Sequence, residues 1–371
     1  MNRKVMSVAI FLCIILCYVF SIGFAGSADK IIQYDIGVIL PLSGPSASHG
    51  EDIIGGIKMA MQEINAKGGI NGFKIGLVVE DDQSTPKDSV AALRKLIDIQ
   101  KLPVIIGPVA SGNMLAMVPI AESQKTVLIS PAASSPKISD AGDYIFRNSL
   151  LAEPQGREIA RFCINRLKKN RVALLFIDDE TGRGYKDAFN KEIQSLGGKV
   201  IIEESFDKQS ADFRSQLTKI MQLHPDAIYV PAIPKAMGLI LRQSKELGMK
   251  AVFLANYGIE GEDLIKTAGE IADGIYYTSM PINMKFASNF EHKYGRKPTI
   301  GAPLGYDTLY IVAQAIKSHG YTSQGIKTGL YAINKFSGAT GLITMNEKGD
   351  AEKEIIIKTV RNGRFVNVEK K

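Results

Sequence analysis

The sequence repeats one pattern within residues 104–135, and this repeat constrains the fold more than any other feature. An apolar run at 104–106 ends in a loop of small residues at 107–112, and a second apolar run at 127–129 ends in a similar loop at 130–135. In parallel α/β sheets, ligands bind outside the carboxyl ends of the strands, where loop amides and helix N-termini offer unpaired donors and partial positive charge. The loops therefore predict a polar site for a small anionic molecule, and neither loop pairs a nucleophile with a base.

The alternation of strand-like and helix-like segments continues along most of the chain. The 371 residues are enough for two domains with separate cores. The alternation runs from residue 35 to residue 279 and restarts near residue 153, which predicts two doubly wound lobes, each a parallel sheet flanked by helices. After residue 281 come helix-like segments and strand-like runs at 341–345 and 354–360. We therefore expect the chain to cross between the lobes more than once.

The N-terminus has the plan of a secretory signal peptide. Arg3 and Lys4 precede an apolar run at 5–24 and small residues at 25–28. The alternative is an uncleaved anchor, because about 20 apolar residues can span a bilayer. We expect cleavage and a periplasmic mature protein. The predicted organisation is a signal peptide at 1–28, an N-terminal lobe at 29–150 and 281–338, and a C-terminal lobe at 151–280 and 339–371.

The composition after cleavage argues against several classes of protein. Loss of Arg3 and Lys4 leaves 43 basic and 38 acidic residues, a net charge of +5, with the two signs interleaved along the helices. This is typical of a solvated surface rather than a nucleic-acid site. Cys163 is the single remaining cysteine, and its amphipathic surroundings predict a buried thiol. With four scattered histidines and no cysteine cluster, we expect no metal site. We also expect no cofactor and a monomer.

Two acidic runs leave an alternative open. Residues 80–82 could contact a cation or ligand, or could form a solvated loop with an N-cap before a helix at Pro86. Residues 178–180 begin a predicted loop that extends to Gly184, at the carboxyl end of a strand. We favour solvated loops in both places, because no further oxygen ligands follow at regular spacing.

Seven segments together carry a resemblance to a known family: 36–45, 63–72, 79–82, 105–107, 130–135, 145–148 and 341–349. In these segments the chain resembles the periplasmic branched-chain amino-acid-binding proteins, the type I solute-binding components of ABC importers. The resemblance extends from residue 34 to the C-terminus. It implies the periplasmic binding protein type I fold, with two doubly wound parallel-sheet lobes joined by a three-segment hinge. It also implies a small-molecule ligand between the lobes and docking on the membrane subunits of an ABC permease.

The resemblance implies a ligand site in the two loops of the first lobe. Ser111 and Ser134, with the backbone at Ala132, match positions that hold the carboxylate and the amine of the ligand in the amino-acid binders. Gly112 and Ala133, beside them, complete this part of the expected site.

The remaining expected contacts depart from the family pattern. His49 falls where the family usually has an aromatic ring beside the ligand. Thr181 and Ile233, from the second lobe, stand where an aromatic residue is usual. Tyr257 replaces the acidic residue that commonly pairs with the ligand's ammonium group. Glu260, or another acid nearby, is the candidate substitute for that charge.

The replacement of the family's acidic residue by Tyr257 affects which ligands the site can bind. An ammonium group enclosed without a counter-ion would carry a desolvation penalty of several kcal/mol, more than a few hydroxyl contacts recover. A carboxylate held by Ser111, Ser134, loop amides and His49 needs no acid. Amine-free aromatic or aliphatic carboxylates therefore join branched-chain amino acids as candidates, and Tyr257 could stack on an aromatic ring.

Each residue of the expected site also has a purely structural interpretation. Ser111 could cap the helix that follows it, and Ser134 could cap the turn before Pro136. His49 could simply be exposed and Tyr257 simply packed. For the whole protein the alternative to transport is a ligand-sensing receptor component of the same fold. An enzyme is disfavoured, because no Ser-His-Asp order, paired carboxylates or phosphate-binding glycine motif stands out.

Overall fold

The computed structural model describes residues 33–369. The expected signal peptide at 1–28 lies outside this range. The strands are β1 Gln33–Leu40, β2 Lys74–Asp81, β3 Val104–Ile106, β4 Val127–Ser130, β5 Ile145–Arg147, β6 Arg171–Ile177, β7 Lys199–Phe206, β8 Ala227–Tyr229, β9 Val252–Ala255, β10 Tyr276–Ser279, β11 Phe336–Gly338, β12 Gly341–Met345, β13 Ala351–Glu352, β14 Ile356–Arg361 and β15 Arg364–Asn367. The α-helices are α1 Ala47–Ala66, α2 Pro86–Arg94, α3 Ser111–Ser123, α4 Ala152–Arg161, α5 Glu180–Ser195, α6 Arg214–Gln222, α7 Pro234–Glu246, α8 Glu262–Ala268, α9 Met284–Tyr294, α10 Gly301–His319 and α11 Ser323–Tyr331.

The first lobe is built on a five-stranded sheet in the order β2-β1-β3-β4-β5. β3 pairs in parallel with β1 and β4, and β4 pairs in parallel with β5. In β1, Ile36 and Val38 enter a core shared with α1 and α10, whereas Ile39 enters a core on the other face, shared with α2 and α3. Because successive side chains of a strand point to opposite faces and both faces are covered, these strands are continuous apolar runs.

The second lobe is built on a seven-stranded sheet in the order β15-β14-β10-β9-β8-β6-β7. Leu175 and Ile177 of β6 pack with α6 and α7, and Leu174 and Phe176 pack with α4 and α5. The five strands from β7 to β10 in this order are parallel, but β14 and β15 join the edge antiparallel to their neighbours. The doubly wound fold is confirmed, with an antiparallel edge that alternation alone does not predict.

The C-terminal segment contributes to both lobes. β11, β12 and β13 form a small antiparallel sheet, and Ile343, Met345 and Ala351 pack in the core of the first lobe. β14 and β15 belong to the second sheet. The lobe boundaries stay a prediction, and these core contacts argue for moving the last boundary from residue 339 to beyond Ala351.

The acidic run at 80–82 is not the expected solvated loop. Asp81 accepts hydrogen bonds from the amides of Leu42 and Ser43, at 2.9 and 3.2 Å, and so holds the loop that follows β1. Asp82 is buried, and burial raises the pKa of its carboxyl group. The N-cap of α2 is Thr85. These acids therefore have structural partners, which a sequence pattern cannot identify.

The prediction of a loop at 178–184 is also wrong for the residues after Asp179. α5 begins at Glu180, and the side chain of Asp179 accepts a hydrogen bond from the amide of Gly182 at 2.8 Å. Asp is a favoured N-cap residue because it satisfies an amide that the first helical turn leaves unpaired. Two glycines among the first five helical residues, Gly182 and Gly184, hide this helix start from a propensity argument.

Cys163 is a buried free thiol, as the sequence predicts, and burial raises its pKa to about 12. Within residues 33–369, no helix is both long and apolar enough to cross a membrane. In the same range, no group of three or more His, Cys, Asp or Glu residues is arranged to hold a metal ion.

A buried ion pair ties the end of β5 to the C-terminal segment. Arg147 lies 2.6 Å from Asp350, and the side chains are 0% and 4% exposed. Arg147 also donates to the carbonyl of Ser135 and to the hydroxyl of Ser139, each at 2.6 Å. The pair therefore also anchors the loop that follows β4.

We expect Asp350→Ala to lower the free energy of unfolding by about 3 to 5 kcal/mol, because it leaves the Arg147 charge buried without its partner. Urea unfolding monitored by circular dichroism measures this change. The matched control is Lys348→Ala, which breaks the exposed ion pair with Asp140 and should leave the midpoint nearly unchanged. Equal effects of the two variants would contradict a structural role for the Arg147–Asp350 pair.

Candidate functional site

A cavity of about 80 Å³ lies between the carboxyl ends of strands from both sheets. Its first-lobe wall comes from α1 and its N-cap, the loops after β3 and β4, and the start of α10: Ser46, His49, Ile53, Val109, Ala110, Ala132, Ser134, Ile300, Gly301 and Leu304. Its second-lobe wall comes from the segments that follow β6, β7, β8 and β9: Ile177, Asp179, Thr181, Gly182, Tyr185, Lys208, Pro231, Ala232, Ile233, Asn256, Tyr257 and Gly258. The cavity is therefore where the strand-end rule predicts a ligand site.

The structure brings most of the expected site residues together at this cavity. Six of the nine line it: His49, Ala132, Ser134, Thr181, Ile233 and Tyr257. Ser111, Gly112 and Ala133 are not among the lining residues, and Ser111 and Ala133 are buried behind the wall. Direct contact of these three with a ligand stays a prediction.

Ser111 has a structural role that neither sequence interpretation anticipates. Its hydroxyl oxygen accepts hydrogen bonds from the amides of Ser134 and Ser135, both at 3.1 Å. The N-cap position of α3 belongs to Ala110, and no side chain caps it. Ser111 therefore joins the loop after β3 to the loop after β4 and holds Ser134 at the cavity.

Ser130 pairs the other two amides of the same loop. Its hydroxyl oxygen accepts from the amides of Ala132 and Ala133, at 3.2 and 2.8 Å, and its proton is donated to the carbonyl of Pro108 at 2.6 Å. All four amides from 132 to 135 are thus paired within the protein. A ligand carboxylate would have to compete with these two serines for the amides, and its binding by loop amides stays a prediction.

Tyr257 closes the cavity from the second lobe. Its hydroxyl group donates to the carbonyl oxygen of Ala132 at 2.8 Å, which is the backbone group expected to receive the ligand's amine. Tyr257 is buried, and burial raises the pKa of its phenol well above the ordinary value. The residue that replaces the family's acid therefore donates to an acceptor in the first lobe.

Glu260 does not supply the missing acid. Its carboxylate lies 3.0 Å from the ammonium group of Lys358 and accepts from the hydroxyls of Tyr277 and Ser279, at 3.0 and 3.1 Å. It is buried and is not a lining residue of the cavity. The expectation that Glu260 could balance a ligand ammonium is corrected, because these partners occupy its oxygens within the second lobe.

The first turn of α5 forms the part of the wall that faces Ser111. Thr181 accepts a hydrogen bond at 3.4 Å from the amide of Ser111, so this contact joins the lobes at the cavity. Asp179, the N-cap, is the one acidic side chain among the lining residues. A helix N-terminus favours a nearby anion.

Lys208 is a lining residue that the sequence analysis missed. It follows the last residue of β7, Phe206, by two positions. Burial lowers the pKa of its ammonium group, and Asp179 and Asp82 act in the opposite direction. The strand-end rule, applied to β7 as it was to β3 and β4, could have identified this residue.

Three further polar groups meet at Tyr185. The amide of Gln155 donates to its hydroxyl oxygen at 2.7 Å. Burial raises the pKa of the phenol, and hydrogen bonds with Ser134, Asn256 and Gln155 lower it in part. The hydroxyl of Ser134 in the first-lobe wall and that of Tyr185 in the second-lobe wall thus lie close together, so both can interact with one ligand oxygen.

His49 lies on α1, where it faces the second lobe across the cavity. Burial lowers its pKa below the ordinary 6.5, while Asp52 and Asp263 act to raise it and Lys208 acts to lower it. A backbone hydrogen bond with Gly258 of the second lobe also raises the pKa. Neutral histidine is favoured here, so His49 can donate or accept a hydrogen bond across the cavity.

The chain is similar to known proteins over most of its length. Residues 33–364 match the family described as periplasmic binding protein. A curated relative from Pseudomonas aeruginosa, the leucine-, isoleucine-, valine-, threonine-, and alanine-binding protein, is 27% identical over 335 residues, which is 88% of this chain and 90% of the relative. The Leu/Ile/Val-binding protein of Escherichia coli is 27% identical over 327 residues, 85% of this chain and 87% of that protein.

Solved structures show the same architecture. A leucine-binding protein from Thermotoga maritima is 30% identical, with a TM-score of 0.86 and coverage of 90% of this chain and 97% of that one. A branched-chain amino acid transporter substrate-binding protein from Streptococcus pneumoniae, in complex with isoleucine, is 28% identical, with a TM-score of 0.85 and coverage of 90% and 97%. The relatives' names describe binding proteins and no enzymatic activity.

We expect Ser111→Ala to lower the free energy of unfolding by about 1 to 3 kcal/mol, because two buried amides lose their acceptor. Urea unfolding measures the change. Ser123→Ala, at the exposed other end of α3, is the matched control and should behave like the wild type. A Ser111→Ala protein as stable as this control would show that the loops do not depend on the hydroxyl.

We expect the stability that depends on His49 to fall in acid. Because its pKa in the folded protein lies below the ordinary 6.5, the folded protein binds fewer protons than the unfolded chain. The contribution of the neutral ring to stability is therefore complete above pH 6.5 and declines as the pH falls below it. As the pH falls below 6.5, the urea midpoint should decrease more steeply for the wild type than for His49→Gln. A difference that does not vary with pH would contradict this assignment.

Proposed function

The chain belongs to the periplasmic binding protein family, and on that premise we propose that it is the extracytoplasmic solute-binding protein of an ABC importer. After removal of residues 1–28, it would work in the periplasm as a monomer that delivers a small carboxylate-bearing ligand to the membrane subunits of a permease. The ligand would lie in the cavity between the lobes. The single observation that carries this proposal is the makeup of that cavity, which takes its walls from strand ends of both sheets.

The polar groups of the cavity suit an anionic ligand. Hydroxyls of Ser134, Thr181 and Tyr185 and the ammonium group of Lys208 are hydrogen-bond donors, whereas Asp179 is the one carboxylate in the wall. Charge-assisted hydrogen bonds to a carboxylate are stronger than bonds between neutral groups. A small acid is therefore the ligand class that these donors favour.

Contacts between the lobes support a closed form that a ligand would stabilise. Tyr257 reaches the carbonyl of Ala132 at 2.8 Å, and Lys137 of the first lobe lies 2.9 Å from Glu180 of the second. A ligand that touches both walls binds the closed form better than the open one and so shifts the population towards it. The permease would then recognise the closed form.

Two ligand classes meet these requirements. Branched-chain amino acids are supported by the printed names of relatives that are 27 to 30% identical. Amine-free carboxylates are supported by Tyr257, which stands at the position of the ammonium partner. Both classes share the carboxylate, so the proposed function does not depend on the choice between them.

We expect a thermal-shift screen of the purified mature protein to find a small carboxylate or amino acid that raises the unfolding midpoint. At a ligand concentration about 100 times Kd, the expected stabilisation is about 2.7 kcal/mol. The ligand should shift Ser134→Ala less than the wild type, whereas the exposed variant Ser123→Ala should respond fully. If no amino acid or carboxylate in the screen moves the midpoint, the proposed function is wrong.

A further inference from the structure

We propose that the ligand is a short aliphatic monocarboxylate without an α-amino group, and that Lys208 is the residue that binds its carboxylate. This inference rests on the proposed function and names the chemistry of the same cavity. Three observations carry it: a lysine in the wall without a direct partner among residues 33–369, acceptors for an ammonium group that the protein already engages, and an apolar remainder of the wall.

Lys208 has no direct acceptor in the part of the chain that the structure describes. Its side chain lines the cavity, and the carboxylates of residues 33–369 that act on its ammonium group, Asp179 and Asp82, do so through charge and without a hydrogen bond. A partly buried ammonium group without an acceptor loses hydration that nothing replaces. A ligand carboxylate in the cavity would supply this acceptor.

The two acids that act on Lys208 at longer range are held by other groups. Asp179 accepts from the amide of Gly182 at 2.8 Å as the N-cap of α5. Asp82 accepts from the amide of Ser84 at 2.9 Å and from the side chain of Asn113 at 3.2 Å. Both carboxylates raise the pKa of Lys208 against the effect of burial. They favour a charged ammonium group but leave its hydrogen bonds to the ligand.

The groups of the described wall that could accept from a ligand ammonium are already engaged by the protein. The carbonyl of Ala132 already accepts the proton of Tyr257 at 2.8 Å. Glu260 is buried against Lys358 and lies outside the wall. Asp179 is the remaining acid, and its hydrogen bond to α5 and its attraction to Lys208 both compete with an ammonium group. An amine would therefore bring a desolvation cost that the site does not recover.

The rest of the wall favours a short aliphatic chain. Apolar side chains from both lobes surround the polar groups: Ile53, Val109, Ile177, Ile233, Ile300 and Leu304. The cavity volume is about 80 Å³, and an apolar ligand group that fills such a space gains roughly 0.8 kcal/mol for each buried methylene. Branched acids such as isovalerate and isocaproate combine one carboxylate with this kind of tail.

Calorimetric titration of matched compounds tests the ligand class. Valine and isovalerate differ only by the amine, as do leucine and isocaproate, and isovaleramide keeps the shape of isovalerate without its charge. The protein is first unfolded, dialysed and refolded to remove any ligand carried from cells. We expect each acid to bind at least about 10-fold more tightly than its amino acid, and the amide to bind more weakly than isovalerate, since 10-fold corresponds to about 1.4 kcal/mol. Tighter binding of valine and leucine would overturn the proposal.

Substitution of Lys208 tests the residue. Lys208→Met keeps a long apolar side chain and removes the charge, so we expect at least a 10-fold loss of isovalerate affinity. The same variant should bind the uncharged isovaleramide about as tightly as the wild type does. Lys208→Arg should retain part of the affinity for the acid. The matched control, Lys191→Met, changes an exposed lysine of α5 and should bind like the wild type. Unchanged affinity of Lys208→Met for isovalerate would overturn the role of Lys208.

The outcomes separate this inference from the proposed function. Tight binding of leucine or valine with weak binding of the acids would refute the amine-free ligand and leave a solute-binding protein in place. Binding of none of the acids or amino acids would count against both. Circular dichroism and urea unfolding confirm that each variant is folded, and the comparison of wild-type ligands does not depend on any variant.

Discussion

The hydroxyl oxygens of Ser111 and Ser130 accept four consecutive backbone hydrogen bonds, from residues 132 to 135, and the site is built on this arrangement. An amide that is buried without a partner costs about 1 to 3 kcal/mol, so a loop at the end of a buried strand needs internal acceptors. The serines provide them and set the direction of the loop. The carbonyl of Ala132 and the side chain of Ser134 then belong to the cavity wall.

The fixed loop of the first lobe is matched by a second wall with different chemistry. Tyr257 donates to the carbonyl of Ala132, Thr181 accepts from the amide of Ser111, and Lys208 brings a positive charge. In the first lobe, hydrogen-bonding capacity is largely used within the protein. We therefore expect selectivity for a ligand to depend on the second lobe, where donors outnumber acids.

Much of the fold could be predicted from the sequence because its main signal is local. Strands such as β3 and β6 are buried on both faces and so are continuous apolar runs, and the helices between them show helical spacing. The start of α5 was missed because Asp179 and two glycines resemble a loop until the N-cap hydrogen bond is seen. The antiparallel strands β14 and β15 were also missed, since strand direction depends on how a distant segment returns to the sheet.

The sequence brought several residues of one cavity together in a single expected site, and their contact with a ligand stays a prediction. Six expected residues line the cavity, because strand ends and family resemblance both point to the same loops. Ser111, Glu260 and Lys208 show what a linear pattern omits. Each depends on its partners: Ser111 on amides of the next loop, Glu260 on Lys358, and Lys208 on the lack of a neighbouring acceptor. A residue type states which hydrogen bonds a side chain can make, but not which of them are already made.

The sequence by itself determined two α/β lobes, the loops at their strand ends, and the family to which the chain is similar, because these follow from hydrophobic periodicity and short motifs. Only the tertiary structure decided which polar groups remain for a ligand. Ser111 and Ser134 are 23 residues apart, and Tyr257 and Ala132 are 125 residues apart. Hydrogen bonds of this kind form only when folding brings the segments together, and we expect the groups they leave without partners to select the ligand.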